Sequence, residues 1–595
     1  MKTKNIAVVF VALIIMLVSC SKEFLDRPPQ SQVVGTNFYQ NDAEMLAGAA
    51  PLYSMVWKDF CDQANWHIGD AHAGVLMYPW GGNASQFSNF TANGLTGTNV
   101  SAYKAFYEVI VQANTIMYNI EHYATSAVTP AIKQHTLGEC RYMRALALSY
   151  LVMNYGPVAI ADENYVKTLI ESGGTGLPQL RRNTVPSVWK FIVKDFRYAV
   201  LNLEQTAPLP GRITSWSAEG MLARTYLNIA GVNPSAVDGL KGTLNSNYLD
   251  SAKYYADRVI KLSGKTLLPN YADLFSWTPS PYDNNNESLF ELQWVFTTSS
   301  NLSYQYANTM ISQITPASSI SGSGNDGWGG NYTATKWILS LYDGIYNSNG
   351  NPGSTVDKRL KPTFMMPGAT YPELIEKGTE ANPVQYYAPI TAVGNPSFAT
   401  IKKYVIGYQK GQTGQQDNPN DTYMMRLAEM YLTYTEAAVL QGNVDALAVQ
   451  YFNAVHSRAG LDVTHTTDSL SQGYPKAWDY VFKERAKEFA MEGLAWYDLV
   501  RIHYSDAQHA YNIIGSQDRG LWNYQPYPNP WSVANNTNPQ GWTFSKITWF
   551  TNAGGNFDFI TVNDGNFMLP IPTIELSQAP SLNQDPVAYD FANYK

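Results

Sequence analysis

The sequence predicts a mostly α-helical fold in which antiparallel helix pairs back an irregular, loop-rich face with a few short strands. Three observations carry this expectation. Several long stretches space their apolar residues three and four apart, the period of a helix with one buried face. Glycine, or glycine followed by proline, stands where those stretches stop. Between them lie long polar runs rich in Gly, Asn and Pro that also hold Trp and Tyr, unlike the make-up of disordered linkers.

The chain opens with Lys2 and Lys4, then an unbroken apolar run from Ile6 to Val18. That run is shorter than the roughly twenty residues a membrane-crossing helix needs. A basic start, a short apolar stretch and a small-residue cut site describe a secretory signal peptide. Leu17-Val18-Ser19-Cys20 resembles the lipobox of bacterial lipoproteins. The resemblance implies that residues 1–19 are removed and that Cys20 carries the acyl chains. Each buried CH₂ of such chains contributes about 0.8 kcal/mol of membrane affinity. Later apolar stretches such as Ala145–Val152 are interrupted by polar residues, so the mature chain is expected to be a soluble body on a lipid tether.

The helices follow in order. From Ala102, the residues Phe106, Val109, Ile110, Ala113, Ile116, Met117 and Ile120 form one apolar stripe. A second helix runs through Arg141–Tyr150 and stops at Gly156-Pro157. A third, Ser187 to Leu203, is entered through Pro186 and buries Trp189, Ile192, Val193 and Phe196. Ser217–Ala230 closes at Gly231, and Tyr248–Leu262 carries Ala252, Ala256 and Val259. Tyr423–Gln441 and Val444–Arg458 end at Gly442 and Gly460, and Ala477–Ile502 reads as one further helix. Small residues at likely contact positions, Ala223, Ala252, Ala256, Ala437 and Ala438, resemble the pattern of tetratricopeptide repeats, where stacked helix pairs build a curved surface. The polar stretches are Asp70–Thr98, Pro279–Asn286, Ser318–Asn331, Asn347–Thr355, Gly411–Asp421 and Gln517–Asn556. Loops of this length are uncommon unless functional or disordered, and their rings favour ordered contact loops.

Composition narrows the partners. Charged residues are 15% of the chain, against about 25% in average domains. Aromatics are plentiful, with 41 Tyr, 23 Phe and 15 Trp. A weakly charged surface of rings, amides and glycine suits neutral polyhydroxylated ligands, whose C–H faces stack on rings. The net charge of −8 argues against nucleic acid, which needs a basic patch. Of the three cysteines, Cys61 and Cys140 remain after Cys20; a disulfide between them and buried free thiols both fit. Neither zinc spacing nor an EF-hand is present, so no metal or cofactor is expected, although Asp283-Asn284-Asn285-Asn286-Glu287 is rich in oxygen donors.

An ordered set of motifs then carries a family resemblance. Phe24-Leu25-Asp26 and Pro28-Pro29 follow the lipobox; Glu139-Cys140-Arg141-Tyr142-Met143-Arg144-Ala145 and Tyr155-Gly156-Pro157 come next. Then stand Asp357-Lys358-Arg359, Arg426-Leu427-Ala428-Glu429-Met430-Tyr431-Leu432, Glu436-Ala437-Ala438 and Arg458-Ala459-Gly460-Leu461. Glu484-Arg485-Ala486-Lys487-Glu488-Phe489, Glu492-Gly493, Trp496-Tyr497-Asp498-Leu499-Val500-Arg501, Leu569-Pro570-Ile571-Pro572, Glu575 and Gln584-Asp585-Pro586 complete the series. Together these resemble the SusD/RagB family of outer-membrane nutrient-uptake lipoproteins over essentially the whole mature chain. Departures are small: Thr435 stands where alanine is common, and Asp585 where asparagine is common. The resemblance implies tetratricopeptide-like helix pairs supporting a ligand-binding face, with an N-terminal helical region over 20–275 and a C-terminal region with further helices over 276–595. It implies a non-enzymatic binder of oligosaccharide or polysaccharide that caps a SusC-like TonB-dependent transporter. Ser21-Lys22-Glu23 resembles the signal that sends such lipoproteins to the outer face of the outer membrane. Some relatives serve peptides or other nutrients, and that reading stays open beside the glycan one.

A surface glycosidase is the reading from a different class. Glu484, Glu488 and Glu492 place three carboxylates on one helix face, near the separation a retaining glycosidase uses. Yet they sit amid Phe482, Phe489, Trp496 and Leu499, and Arg426, Arg458, Arg485 and Arg501 are available to pair with them, so a structural ion network is expected and no catalytic residue is assigned. The ligand-binding candidates are instead rings and amides of the polar loops: Tyr78, Trp80 and Asn83 in the first, Asp326 and Trp328 in a Gly-Trp-Gly-Gly-Asn setting, Trp294 on an expected strand Leu289–Phe296, and Tyr282. Rings would supply stacking and the amides and carboxylate would bond hydroxyls.

Overall fold

A computed structural model describes residues 38–594, apart from 54, 79–81, 177–178, 277–282, 296–309, 325–326, 328–329, 331, 343–354, 367–369, 379–385, 388–398, 413–418, 521, 524–547 and 550–559. Helices dominate. In chain order they are α1 (Asp42–Ala49), α2 (Asn83–Ser88), α3 (Gly97–Tyr123), α4 (Pro130–Tyr155), α5 (Glu163–Glu171), α6 (Val185–Asn202), α7 (Ser215–Ile229) and α8 (Ser246–Leu262). After shorter turns including α9 (Met310–Ile314), α10 (Lys336–Ser340) and α11 (Leu360–Thr363) come α12 (Leu427–Leu440), α13 (Ala446–Arg458), α14 (Thr466–Leu470), α15 (Lys476–Glu488), α16 (Ala495–His503) and α17 (Ala507–Ser516).

Local chemistry sets these boundaries. Thr129 caps α4 by accepting the Ile132 N–H, with Pro130 at the first helical position where its missing N–H costs nothing. Asp445 caps α13 by accepting from Ala448. The long helices then stack in sequence, α3 on α4, α4 on α6, α6 on α7, α7 on α8, α8 on α12 and α12 on α13. Ala223, Ala252, Ala256, Ala437 and Ala438 are all fully buried in that stack, where small side chains let backbones approach. One apolar core runs through it, from Trp57 and Phe106 through Trp189 and Phe290 to Trp478 and Trp496.

Two expected helices differ. Tyr423–Gln441 was expected to be helical throughout, but Thr422–Arg426 is a strand, β8, paired antiparallel and with a bulge to β2 (Ser288–Leu292). Arg426 is extended, and the helix begins after it. Ala477–Ile502 is two helices, broken between Phe489 and Leu494. At the break Met491 and Gly493 take positive φ, and the carboxylate of Asp70 accepts the N–H groups of both, at 3.0 and 2.9 Å. A side chain at Gly69 would meet the Gly493 backbone within 2.4 Å, so the two segments close to a distance only glycine permits. Asp70 is buried, and burial pushes its carboxyl up to about 7 despite the donors around it.

A small sheet ordered β1-β3-β7-β4 stands beside the helices, built from Leu76–Met77, Thr333–Ala334, Thr400–Ile401 and Phe364–Met365. Its pairs are antiparallel, with Met77 opposite Thr333, Thr333 opposite Thr400, and Phe364 opposite Ile401. The expected loop Asp70–Thr98 therefore holds a strand, a helix and the start of α3. Cys61 and Cys140 are both buried free thiols. Among the described residues no helix is long and apolar enough to cross a membrane.

Candidate functional site

The candidate face forms at one end of this sheet. Because β1 and β3 run antiparallel with Met77 opposite Thr333, the residue leaving β1 (Tyr78) and the residue entering β3 (Tyr332) lie side by side. Their rings stand 5.6 Å apart at 39°, Tyr78 half-buried and Tyr332 beneath it. Trp66 meets the Tyr332 ring edge-on at 5.9 Å. A polar chain fixes that ring: the Tyr332 hydroxyl is 2.8 Å from His67 Nε2 and donates to Gln313 Oε1, while His67 Nδ1 is 3.2 Å from Thr98 Oγ1. Burial holds His67 down at about 3, so its ring is neutral and offers one donor and one acceptor.

The expected binding residues divide. Trp80, Asp326, Trp328, Tyr282 and the lipidation candidate Cys20 lie outside the described residues. In the sequence Trp80 is two residues beyond Tyr78, and Trp328 four before Tyr332, and Tyr78 and Tyr332 are neighbours at the paired strand ends. Gly330, φ +63°, lies so close to Thr400 and Pro316 that an added Cβ would come within 2.9 Å of the former, which ties the second loop to β7. Asn83, the first residue of α2, is half-buried with its amide against Gly97. Trp294 is a correction. It is 3% exposed, and its indole N–H donates to Thr422 Oγ1 at 3.0 Å, so it closes the end of the β2–β8 pair and offers no ring to solvent. Tyr332, His67 and Gln313 were not anticipated; the only signal was the alternation of Tyr332-Thr333-Ala334-Thr335 directly after the Trp328 run.

The three glutamates are sealed away from any such face. Arg426 donates to Glu492 at 2.8 and 2.9 Å, to Glu488 at 2.6 Å and to Glu287 at 2.7 Å. Arg359 reaches Glu484 at 2.8 Å and Glu488 at 3.1 Å, Arg458 reaches Glu287 and Glu488, and Lys403 reaches Glu492 at 2.8 Å. Burial alone would raise the Glu488 carboxyl, but Arg458, Arg426 and Arg359 hold it down at about 2. Arg485 and Arg501 serve a neighbouring set, Asp498 and Glu436. With 6% exposure or less, Glu484, Glu488 and Glu492 cannot flank a glycosidic bond. A different group lies among like charges: Asp421, 2% exposed, is buried beside the carboxyl groups of Glu291 and Asp283, and burial with those two neighbours pushes it up to about 10, so that it holds a proton to share with them. Among the described residues no group of three or more His, Cys, Asp or Glu is arranged to hold a metal ion.

Comparison with known proteins follows this geometry. Residues 286–589 match the SusD family, and residues 23–227 match a family described as starch-binding and associating with the outer membrane. The chain is 29% identical over 99% of its length, and 99% of the relative's, to a SusD-like protein of Bacteroides ovatus. It is similar to a crystal structure with a xylogluco-oligosaccharide, at 27% identity and a TM-score of 0.72, covering 92% of this chain and 99% of that one. The fold also matches a laminarin-binding SusD-like protein at 20% identity and a TM-score of 0.60, over 92% of this chain and 100% of the other.

Proposed function

This chain belongs to the SusD family, and on that premise we propose that it is a non-catalytic, lipid-anchored glycan-binding protein of the outer membrane that hands oligosaccharide or polysaccharide to a SusC-like TonB-dependent transporter. The observation that carries this reading is the pairing of β1 with β3, which brings the departure points of two tryptophan-bearing loops together over the Tyr78–Tyr332 pair. Rings presented at adjacent points stack on successive sugar faces, and amides beside them bond hydroxyls. The resemblance to a structure with a xylogluco-oligosaccharide supports a polysaccharide ligand. Enclosure of the glutamate trio in its ion network supports binding without bond cleavage. Modest affinity at one site is enough, because tethering beside the transporter raises the effective ligand concentration.

Isothermal titration of the mature protein against a polysaccharide panel tests the proposal. Binding to at least one glycan, weakened by Trp80→Ala and Trp328→Ala, is the expected result. Binding to peptides with no response to any glycan would overturn it, as would release of reducing sugar on incubation.

A further inference from the structure

A second concavity lies at the same end of the sheet as the tyrosine pair. With Thr333 opposite Thr400 and Phe364 opposite Ile401, the chain entering β3, leaving β7 and entering β4 emerges on one edge. There a cavity of about 690 Å³ opens, lined among the described residues by α11, the turn after Tyr371 and the segment 402–409. Ligand pockets commonly span about 300–1,000 Å³. From β1 to β4 is three strand spacings, about 14 Å at roughly 4.8 Å each, a reach that an oligosaccharide of a few rings covers.

The cavity's chemistry differs from that of the aromatic pair. Pro362, Pro372 and Ile375, all at least partly exposed, supply apolar wall suited to the C–H face of a ring. Lys402 is 8% exposed; its ammonium donates to Val405 O at 3.0 Å and stands 3.5 Å from Glu373. An ammonium has three protons to give, so these two partners leave donor capacity toward the cavity. Lys358 and Lys361 are exposed on the same wall, the latter with its ammonium 5.5 Å from the Tyr371 ring centroid. Against them stand Asp273 and Glu373, since Asp357 is occupied by Arg359 and Lys487. The side chain of Glu373 is 56% exposed and, among the described residues, is paired through Lys402 at that long distance, so an anion can displace it.

We propose that this cavity is a subsite for a uronate, a carboxylate-bearing sugar unit, on the same glycan that the aromatic face holds; the proposal rests on the glycan-binding reading and adds a charge preference to it. The incoming carboxylate replaces Glu373 at Lys402, with Lys361 as the outer cation and the ring against Pro372 and Ile375.

Titration of the mature protein at low salt compares galacturonate- and glucuronate-containing oligosaccharides with their carboxyl-reduced counterparts. The acidic forms are expected to bind at least tenfold more tightly, with affinity falling as salt rises. Lys361→Gln and Lys402→Gln are expected to weaken the acidic forms three- to tenfold. Glu373→Gln, at an exposed position that leaves the fold intact, is expected to tighten them. Equal binding of acidic and reduced forms, or Glu373→Gln without effect, overturns the subsite, and so does a lack of response to every acidic oligosaccharide. Neutral glycan binding that Trp80→Ala abolishes, with acidic forms indifferent to the lysine changes, leaves the glycan-binding reading standing alone.

Discussion

The buried ion network and the tyrosine pair are both assembled from segments far apart in the chain, yet they are built in opposite ways. Around Arg426 every charge is enclosed and answered by another, so each member depends on all the rest. At the end of the β1–β3 pair two-residue strands present a half-buried ring, Tyr78, over a buried one, Tyr332, that neutral groups fix in place. Enclosed charge makes the helical half intolerant of change. On the proposed reading, the two regions separate stability from recognition within one chain.

Breaking that separation gives the largest expected effect. Arg426→Ala removes the cation shared by Glu287, Glu488 and Glu492, leaving them only Arg458, Arg359 and Lys403, and should cost about 3–5 kcal/mol, read as a fall in the urea midpoint. A loss below about 1 kcal/mol would mean the network is not what holds the helices together. Asp70→Ala comes next. It orphans the Met491 and Gly493 N–H groups at the helix break, at about 1–3 kcal/mol for each buried donor; an unshifted midpoint would show that the break persists without its acceptor.

On the recognition side, Trp80→Ala and Trp328→Ala should each weaken glycan binding about tenfold, roughly 1.4 kcal/mol, while leaving the urea midpoint close to that of the parent. A midpoint that falls with affinity would collapse the distinction between the two regions. A pH-dependent effect is expected at Asp421. Its folded carboxyl titrates at about 10, well above the roughly 3.9 of an unfolded aspartate. The folded state therefore holds the extra proton between these values, and stability falls as pH rises across that window. Asp421→Asn should remove this slope, so that its melting temperature gains on the parent's between pH 5 and pH 8, and an unchanged difference would show that the carboxyl is not held protonated. Glu488, held at about 2, contributes in the other sense: its stabilisation is complete above the unfolded value of about 4.3 and is lost as pH falls through 2.

What was legible in the sequence follows the range of the interactions. The stop of α4 at Gly156, the stripe of α3 and the buried alanines of the stack are local signals, and they appear where the period placed them. The break at Met491 was not legible, because its cause is a carboxylate 421 residues earlier. The strand nature of Tyr423–Arg426 depends on β2 lying alongside, which a helical period cannot register. The pairing of Arg426 and Arg458 with buried glutamates was readable from motif composition, but the share taken by Glu287 and Arg359 was not. Trp294 shows the limit for sites: a ring on a strand looks the same in sequence whether it faces ligand or, as here, closes a core against Thr422.

The docking of Asp70 on residues 491–493 also has a consequence in time. A chain made from its N-terminus can pack Trp57 and Phe60 on Phe106 and Tyr150 early, but Trp66 and Asp70 must wait for Tyr332 and residues 491–493. Contacts at such separation form slowly and leave apolar surface open in the interval. Assembly of the early third therefore finishes only after nearly the whole chain has arrived.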